Sequence, residues 1–227
     1  MFDYINIFMR KLFVLLVALA CFIIPSLSVK GVDVSQPFAT SVYQCMKQNG
    51  MTFVIIRGYC SFGGVDSHAV TGLQNAKAAG LITDVYFFPC TGKKSAATQV
   101  AEMFSAIPSN LYGMIWIDVE TNTSPQCGWE QHSHEDNCKF LLELINAIKS
   151  HGKVPAIYAS AYMWQNIMGS RTACPAAASQ QLWYPHYDGN PSFSDFSGFG
   201  GWTKPTIKQY TGTSSFCGGS VDHDYYP

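Results

Sequence analysis

The chain has 227 residues, of which 13% are charged and 14% are aromatic, and its formal net charge at pH 7 is −1. The small charged fraction and the aromatic content argue against an intrinsically disordered chain, and the near-neutral charge argues against a nucleic-acid-binding surface. A chain of this length can form one domain with a sizeable hydrophobic core.

The first predicted element is a secretory signal peptide over residues 1–28. Arg10 and Lys11 precede an almost uninterrupted apolar run over residues 12–24, and Pro25-Ser26-Leu27-Ser28 ends in the small-x-small pattern of a signal peptidase site. The run is too short for a confident membrane span of roughly 20 residues. We therefore expect a single domain over residues 29–227, secreted to extracellular fluid or to a secretory or phagosomal granule, without membrane attachment after cleavage. An uncleaved N-terminal anchor is the alternative.

Apolar runs rich in β-forming residues recur after the signal peptide, and helix-like segments separate the first five of them. The predicted strands cover residues 31–34, 53–57, 83–88, 114–119, 154–158, 182–184, 207–210 and 220–222. The predicted helices cover residues 41–49, 68–79, 95–106 and 137–150. This alternation is typical of βα units around a parallel sheet.

The second half of the chain leaves little room for long helices between strands, because it is rich in glycine, serine and proline. Its prolines include Pro175, Pro185, Pro191 and Pro205. A complete (β/α)8 barrel typically needs about 250 residues. We therefore predict an α/β fold, a shortened (β/α)8-type barrel with reduced helices in the second half. A doubly wound open sheet is the alternative.

Seven cysteines follow the signal peptide, and in an oxidising compartment most of them should pair. They are Cys45, Cys60, Cys90, Cys127, Cys138, Cys174 and Cys217. An odd number leaves one without an intramolecular partner. The preferred pair is Cys127 with Cys138, which bracket a polar loop, and the further candidate pairs are Cys174 with Cys217 and Cys60 with Cys90.

Acidic side chains stand at the ends of three predicted strands. Asp118 and Glu120 are two residues apart, so they point to the same side of an extended chain. Burying two unpaired carboxylates side by side costs on the order of several kcal/mol, so stability alone does not explain them. Asp33 ends the first strand and Asp222 lies in the last. If the barrel closes, all four carboxyl groups meet at the rim where parallel strands end.

Two kinds of chemistry use such a cluster of acids. In glycoside hydrolysis, one carboxylic acid protonates the leaving oxygen while another carboxylate assists. Alternatively, carboxylate oxygens hold Mg²⁺ or Ca²⁺. Aromatic residues at or beyond the strand ends favour sugar, because flat rings stack on pyranose faces; they are Tyr86, Tyr158, Trp183 and Tyr187.

Seven short motifs, in this order along the chain, resemble those of glycoside hydrolase family 25, the lysozymes also called Chalaropsis-type muramidases. The motifs are Gly31-Val32-Asp33-Val34-Ser35-Gln36, Tyr86-Phe87-Phe88, Ile117-Asp118-Val119-Glu120, Ile157-Tyr158, Leu182-Trp183, Lys208-Gln209-Tyr210 and Val221-Asp222-His223-Asp224. The resemblance covers essentially all of residues 29–227. It implies a glycoside hydrolase domain that acts on bacterial peptidoglycan and cuts the β-1,4 bond from N-acetylmuramic acid to N-acetylglucosamine.

The resemblance also implies roles for individual residues. Glu120 takes the role of general acid/base, Asp118 assists it, and Asp33 and Asp222 complete the polar floor. Gln209 joins the aromatic residues as a substrate contact. No metal or other cofactor is required, and we expect a monomer that binds neither nucleic acid nor membrane.

Two departures from the family pattern stand near the site. Asp224 replaces the asparagine that the last motif usually carries, which predicts an extra negative charge. The insertion between Cys127 and Cys138 follows the catalytic strand and is a candidate wall of the substrate groove. Its His132 and His134 also allow a zinc site as an alternative.

A chitinase-like glycosidase and an inactive peptidoglycan-binding protein remain the alternative functions.

Overall fold

The computed structural model describes residues 28–227. Its strands are β1 (Val29–Val34), β2 (Met51–Cys60), β3 (Gly64–Val65), β4 (Ile82–Phe87), β5 (Ile115–Asp118), β6 (Pro155–Tyr158), β7 (Gln181–Pro185), β8 (Ile207–Phe216) and β9 (Gly219–Tyr226). Its α-helices are α1 (Thr40–Gln48), α2 (Ala69–Ala78), α3 (Ala96–Ala106), α4 (His134–Ser150) and α5 (Ala161–Met168). Short 3-10 helices cover Ser109–Leu111, Trp129–Gln131 and Pro175–Ser179.

The predicted signal peptide lies outside the described residues except for Ser28, and it stays a prediction. Among residues 28–227, no helix combines the length and the apolar character needed to cross a membrane. The eight predicted strands and the four predicted helices are all present. The sequence did not predict α5 or the short strand β3.

Eight strands close into a barrel in the order β1-β9-β8-β7-β6-β5-β4-β2, and β3 extends the end of β2 as a hairpin. The closing contact is the parallel pairing of β1 with β2, in which Asp33 lies opposite Ile55. This pairing excludes the doubly wound open sheet and confirms the shortened barrel. Closure also removes the exposed strand edges that an open sheet leaves.

The last strand, β9, runs antiparallel to both of its neighbours, β1 and β8, which corrects the expectation of a fully parallel sheet. Only Cys217 and Gly218 separate β8 from β9, with φ values of 52° and 79°. Two-residue turns with positive φ join antiparallel strands, whereas a parallel connection needs a long crossover. The reversal places Asp222 opposite Asp33 in register.

Alternate strand residues fill two separate cores. Inside the barrel pack Phe53, Ile55, Trp116, Ala156, Tyr158, Trp183 and Ile207. Outside it, residues such as Val54 and Ile56 pack against the helices. On α4, Leu141, Leu144, Ile145 and Ile148 form a buried stripe. Each such side chain contributes about 1.5–3 kcal/mol on burial.

The connections in the second half are reduced as predicted. Helix α5 has eight residues; the Ser160 side chain accepts a hydrogen bond from the Met163 amide at its start, and Gly169, with φ of 94°, ends it. After β7 a loop takes the place of an α-helix. That loop is held by the fully buried Lys208, whose Nζ donates to Asp188 Oδ2 and Asp195 Oδ1 at 2.8 Å each.

The three disulfides found among residues 28–227 differ from all three predicted pairs. They join Cys45 to Cys217, Cys90 to Cys127 and Cys138 to Cys174, and Cys60 is a buried free thiol. The predicted pair of Cys127 with Cys138 fails because a 3-10 helix and the first turn of α4 separate the two residues. Each instead meets a cysteine that is distant in sequence, so the tertiary fold decides the pairing.

Candidate active site

All nine residues predicted for the site line one pocket at the rim where the parallel strands end. They are Asp33, Tyr86, Asp118, Glu120, Tyr158, Trp183, Tyr187, Gln209 and Asp222. The pocket is open to solvent and has a volume of about 430 Å³, which includes the space at its open mouth. Seven of the eight barrel strands, or the residues that follow them, contribute to this set, so the pocket depends on closure of the barrel.

Gln209 connects two acids and two tyrosines beneath the pocket. Its Nε2 donates to Asp33 Oδ2 at 2.6 Å and to Asp222 Oδ2 at 3.2 Å. Its Oε1 accepts hydrogen bonds from the hydroxyl groups of Tyr158 and Tyr187, each at 2.8 Å. Gln209 is buried, and both ends of its amide are occupied, so its contacts orient the four neighbouring side chains.

Asp118 and Glu120 form the second group of acids. Asp118 is 5% exposed, and its Oδ1 meets no hydrogen-bond donor in the described part of the chain. Burial raises the pKa of Asp118 well above its usual range, and the charge of Glu120 raises it further. Burial, followed by the charge of Asp222, also raises the pKa of Glu120, whereas the hydrogen bond between Glu120 and Asp118 opposes that rise. Both shifts favour the protonated form, so the two groups resist ionising together.

Asp33 and Asp222 are shifted in the same direction. Burial and then the charge of Asp222 raise the pKa of Asp33 to about 8, against the opposing hydrogen bond from Gln209. Burial raises the pKa of Asp222, and the Thr213 amide, which donates to Asp222 Oδ1, opposes that rise. Since neighbouring carboxylates in a desolvated pocket cannot all ionise together, the site supplies both a proton donor and a carboxylate.

The predicted aromatic contacts differ in how much of each ring reaches solvent. Trp183 is only 2% exposed; it packs edge to face against Tyr158 with ring centroids 4.5 Å apart. Tyr86 is half-buried, and Tyr187 is 59% exposed. Tyr187 therefore offers the most ring surface for stacking on a sugar, while Trp183 and Tyr158 form the floor of the pocket.

Arg57 is a charged neighbour of the pocket that the sequence did not predict. It lies opposite Tyr86 in the register of β2 with β4, and its charge counteracts the rise in the pKa of Tyr86. Arg57 donates to Asp66 Oδ2 at 2.7 Å and to the Ser35 carbonyl at 3.0 Å. Alternate residues of a strand point to the same side, so Arg57 follows Phe53 and Ile55 on one face of β2. This alternation is the signal in the sequence that could have identified Arg57.

The insertion between Cys127 and Cys138 contributes no residue to the pocket lining. Trp129 is 1% exposed and packs against Phe140 in the outer core. His132 and His134 are exposed. Among residues 28–227, the grouping of potential metal ligands within 4.8 Å of one another is instead His186, Asp188 and Asp195. The ammonium group of Lys208 already lies between those two carboxylates.

A closed barrel with paired carboxyl groups and aromatic side chains at its carboxyl-terminal rim has the composition of a glycosidase active site. Comparison with known proteins agrees. The sequence model of the family Lysozyme-like protein 1 matches residues 26–210. Probable GH family 25 lysozyme 2 of Dictyostelium discoideum is 39% identical over 88% of this chain and 92% of its own length. The chain therefore belongs to the family 25 lysozymes, and it is a glycosidase.

Other relatives and solved structures are consistent with this assignment. Lysozyme-like protein 5 of Caenorhabditis elegans is 37% identical over 96% of this chain and its whole length. The bacterial lysozyme from Streptomyces coelicolor has a TM-score of 0.74 at 23% identity, covering 87% of this chain and 91% of that one. The family GH25 lysozyme from Aspergillus fumigatus has a TM-score of 0.71 at 22% identity, covering 88% and 94%. At such identity the two structures show the same fold.

Proposed function

We propose that the protein is a secreted lysozyme that hydrolyses the β-1,4 bond between N-acetylmuramic acid and N-acetylglucosamine in bacterial peptidoglycan. The observation that carries this proposal is the convergence of Asp33, Asp118, Glu120 and Asp222 in one pocket. Membership of a lysozyme family supports the substrate. The exposed ring of Tyr187 gives that pocket a surface on which a sugar can stack.

Glu120 is the general acid/base in this proposal. Burial and nearby negative charge raise the pKa of Glu120, which favours the protonated form that the leaving oxygen needs. Glu120 is half-buried, whereas Asp118 is almost fully buried; Glu120 is therefore the member of the pair that reaches the substrate. As the bond between the anomeric carbon and the leaving oxygen breaks, Glu120 gives up its proton; it then takes one from the attacking water.

Asp118 assists by stabilising the reacting sugar. Asp118 is 5% exposed and its Oδ1 is buried, so it is less available than Glu120 for direct attack on the anomeric carbon. We therefore assign the nucleophile to the sugar's own 2-acetamido oxygen, which closes on the anomeric carbon and is later displaced by water. With the proton of the pair on Glu120, the Asp118 carboxylate orients the acetamido group and balances its developing positive charge.

Secretion is part of the same proposal. Three disulfides are present among the described residues, and such bonds persist in oxidising compartments. N-terminal sequencing of the protein recovered from the medium or from granules of expressing cells is the test. We expect the mature chain to begin at Val29, and recovery of an intact N-terminus in the membrane fraction would instead identify an anchor.

The activity is tested by digesting peptidoglycan with the wild-type protein, with Glu120→Gln, and with Glu143→Gln as a control on the exposed face of α4. Mass spectrometry identifies the sugar at each new reducing end. We expect muramic acid ends, a rate lower by about 100-fold to 10,000-fold in Glu120→Gln, and an unchanged control.

Other outcomes separate the alternatives. N-acetylglucosamine ends would move the cut to the other linkage, and release of sugar from chitin alone would indicate a chitinase-like enzyme. Binding to insoluble peptidoglycan without any product would indicate an inactive binding protein. Loss of activity with a chelator would support a metal site among the acids.

A further inference from the structure

Asp224 is a fifth carboxyl group near the pocket, and it has no contact with solvent. The residue is 0% exposed. It lies on β9 opposite Gly31 of β1 and opposite Gln209 of β8. Its Oδ1 accepts a hydrogen bond from the indole N–H of Trp183 at 2.8 Å. The residue is therefore placed behind the pocket lining and holds one of the aromatic side chains of the floor.

The second oxygen of Asp224 meets no N–H or hydroxyl donor within residues 28–227. The carboxyl group does lie within hydrogen-bonding reach of the carboxyl group of Asp33. Two ionised carboxylates only accept hydrogen bonds, so this contact is favourable when one of them carries a proton. Asp33 already accepts from Gln209, which favours the charged form of Asp33 and leaves the proton to Asp224.

The electrostatic surroundings favour the same assignment. The charged groups that act on Asp224 are Asp33 on β1 and Asp222 on β9, and both are acids. Burial, followed by the charge of Asp33, raises the pKa of Asp224 well above its usual range, whereas that of Asp33 reaches about 8. Tyr210 on β8 also faces this group, and the charge of Asp224 contributes to its raised pKa. These surroundings oppose the extra negative charge that the sequence predicts for Asp224.

We propose that Asp224 is a positioning residue that carries a proton on Oδ2 and donates it in a hydrogen bond to Asp33. This inference rests on the proposed function, because it assigns Asp224 a part in orienting the acids of that site. This hydrogen bond and the one from Gln209 together fix the orientation of the Asp33 carboxyl group. The other oxygen of Asp224 keeps Trp183 in place by accepting the hydrogen bond from its indole N–H. The side chain thus acts as a neutral hydrogen-bonding group.

The proton is tested without substrate by measuring thermal unfolding of wild type and Asp224→Asn between pH 4 and pH 8. A carboxyl group that must stay protonated in the folded state loses stabilisation as the pH rises above its unfolded pKa. We therefore expect Asp224→Asn to unfold at a higher temperature than wild type at pH 8, with a difference that shrinks towards pH 4. Infrared spectra at pH 7 should contain a protonated carboxyl band that Asp224→Asn loses.

An ionised Asp224 would give the opposite results. Asp224→Asn would then lower the unfolding temperature most at high pH, and the infrared difference would be a carboxylate band. Either of these results would overturn the proposal. Because neither measurement needs substrate, both remain decisive if the protein proves inactive on peptidoglycan.

The positioning role is tested by comparing Asp224→Asn with Asp224→Leu. The asparagine amide can donate to Asp33 and accept from Trp183, so we expect kcat close to that of wild type. Leucine can do neither, and we expect kcat to fall by about 100-fold with a smaller change in KM, because the acids lose their alignment. In the pH profile of kcat for Asp224→Leu, the acid limb should also move to higher pH, because Asp33 loses a hydrogen-bond donor.

Glu143→Asn and Glu143→Leu serve as matched controls on the exposed face of α4. Equal kcat values for Asp224→Asn and Asp224→Leu would show that Asp224 has no positioning role. If Asp224→Leu fails to fold, the comparison of wild type with Asp224→Asn still decides the outcome, because loss of activity in a folded Asp224→Asn would overturn the proposal.

Discussion

At the scale of single residues, the site depends on buried groups that keep exposed groups in place. Gln209 illustrates this, because its amide group is hydrogen-bonded to four side chains of the pocket. The carboxyl groups of Asp33 and Asp222 accept from it, and the hydroxyl groups of Tyr158 and Tyr187 donate to it. Its two donated hydrogen bonds stabilise the ionised forms of Asp33 and Asp222. Removing them leaves two desolvated acids without a neutral donor between them.

Gln209→Leu is therefore expected to lower kcat and to raise the pKa of Asp33 further, since the hydrogen bond from Gln209 lowers that pKa. The measurement is the dependence of kcat on pH, in which the acid limb should move to higher pH. Gln165→Leu, on the exposed side of α5, is the control. An unchanged pH profile with an altered unfolding temperature would mean that Gln209 acts on stability alone.

At the scale of secondary structure elements, the loop between β7 and β8 replaces a helix of the barrel. Lys208 on β8 fixes it from below, donating to Asp188, Asp195 and the Ser192 carbonyl. The loop also carries Tyr187, whose hydroxyl reaches Gln209. The ion pairs of Lys208 therefore connect the stability of a loop to the position of the most exposed aromatic ring in the pocket.

Lys208→Met should lower the free energy of unfolding by about 1–3 kcal/mol, because it leaves partly buried carboxylates without their donor. It should also raise KM more than it lowers kcat, because Tyr187 loses its support. Urea denaturation and steady-state kinetics measure the two effects, and Lys204→Met, an exposed change in the same loop, is the control. Equal KM values for Lys208→Met and Lys204→Met would show that the loop does not contribute to substrate binding.

At the scale of the whole molecule, two groups of acids give stability an optimum in pH. The buried acids of the pocket have raised pKa values, so the stability that their protonated forms contribute is lost as the pH rises above about 4. For Asp33 this loss extends to its pKa of about 8. Lys208 holds the pKa of Asp188 below its usual range, and hydrogen bonds from Lys208 and His186 lower that of Asp195 to about 2. The contribution of these two acids is lost as pH falls towards that value.

The unfolding temperature is therefore expected to peak in weakly acidic solution, at roughly pH 4 to 6. Calorimetry from pH 3 to pH 9 measures it. Asp33→Asn should flatten the decline on the alkaline side, and Asp195→Asn should flatten the decline on the acid side. A maximum above pH 8 would show that the pocket acids are ionised in the folded protein without cost.

The disulfides act on the same scale, because they join segments that are far apart in the chain. Cys45 and Cys217 are 172 residues apart and Cys90 and Cys127 are 37 apart. Since the loop entropy of the unfolded chain grows with the logarithm of length, removing the first bond should cost about 1.4 kcal/mol more than removing the second. Urea denaturation of Cys45→Ala/Cys217→Ala and Cys90→Ala/Cys127→Ala tests this. Equal losses would indicate that native-state contacts, not chain entropy, dominate.

The amino-acid sequence by itself determined eight of the strands, four helices, the barrel and the set of acids at its rim. These features follow from local periodicity and from the order of the motifs along the chain. The alternation of side chains in an extended strand is enough to predict that Asp118 and Glu120 point to the same side. The antiparallel β9, the disulfide partners, the neutral state of Asp224 and the place of Arg57 were decided by the tertiary structure. Each depends on groups that are distant in sequence, such as Asp33 beside Asp224 or Cys45 beside Cys217. Their burial and contacts arise when the barrel closes.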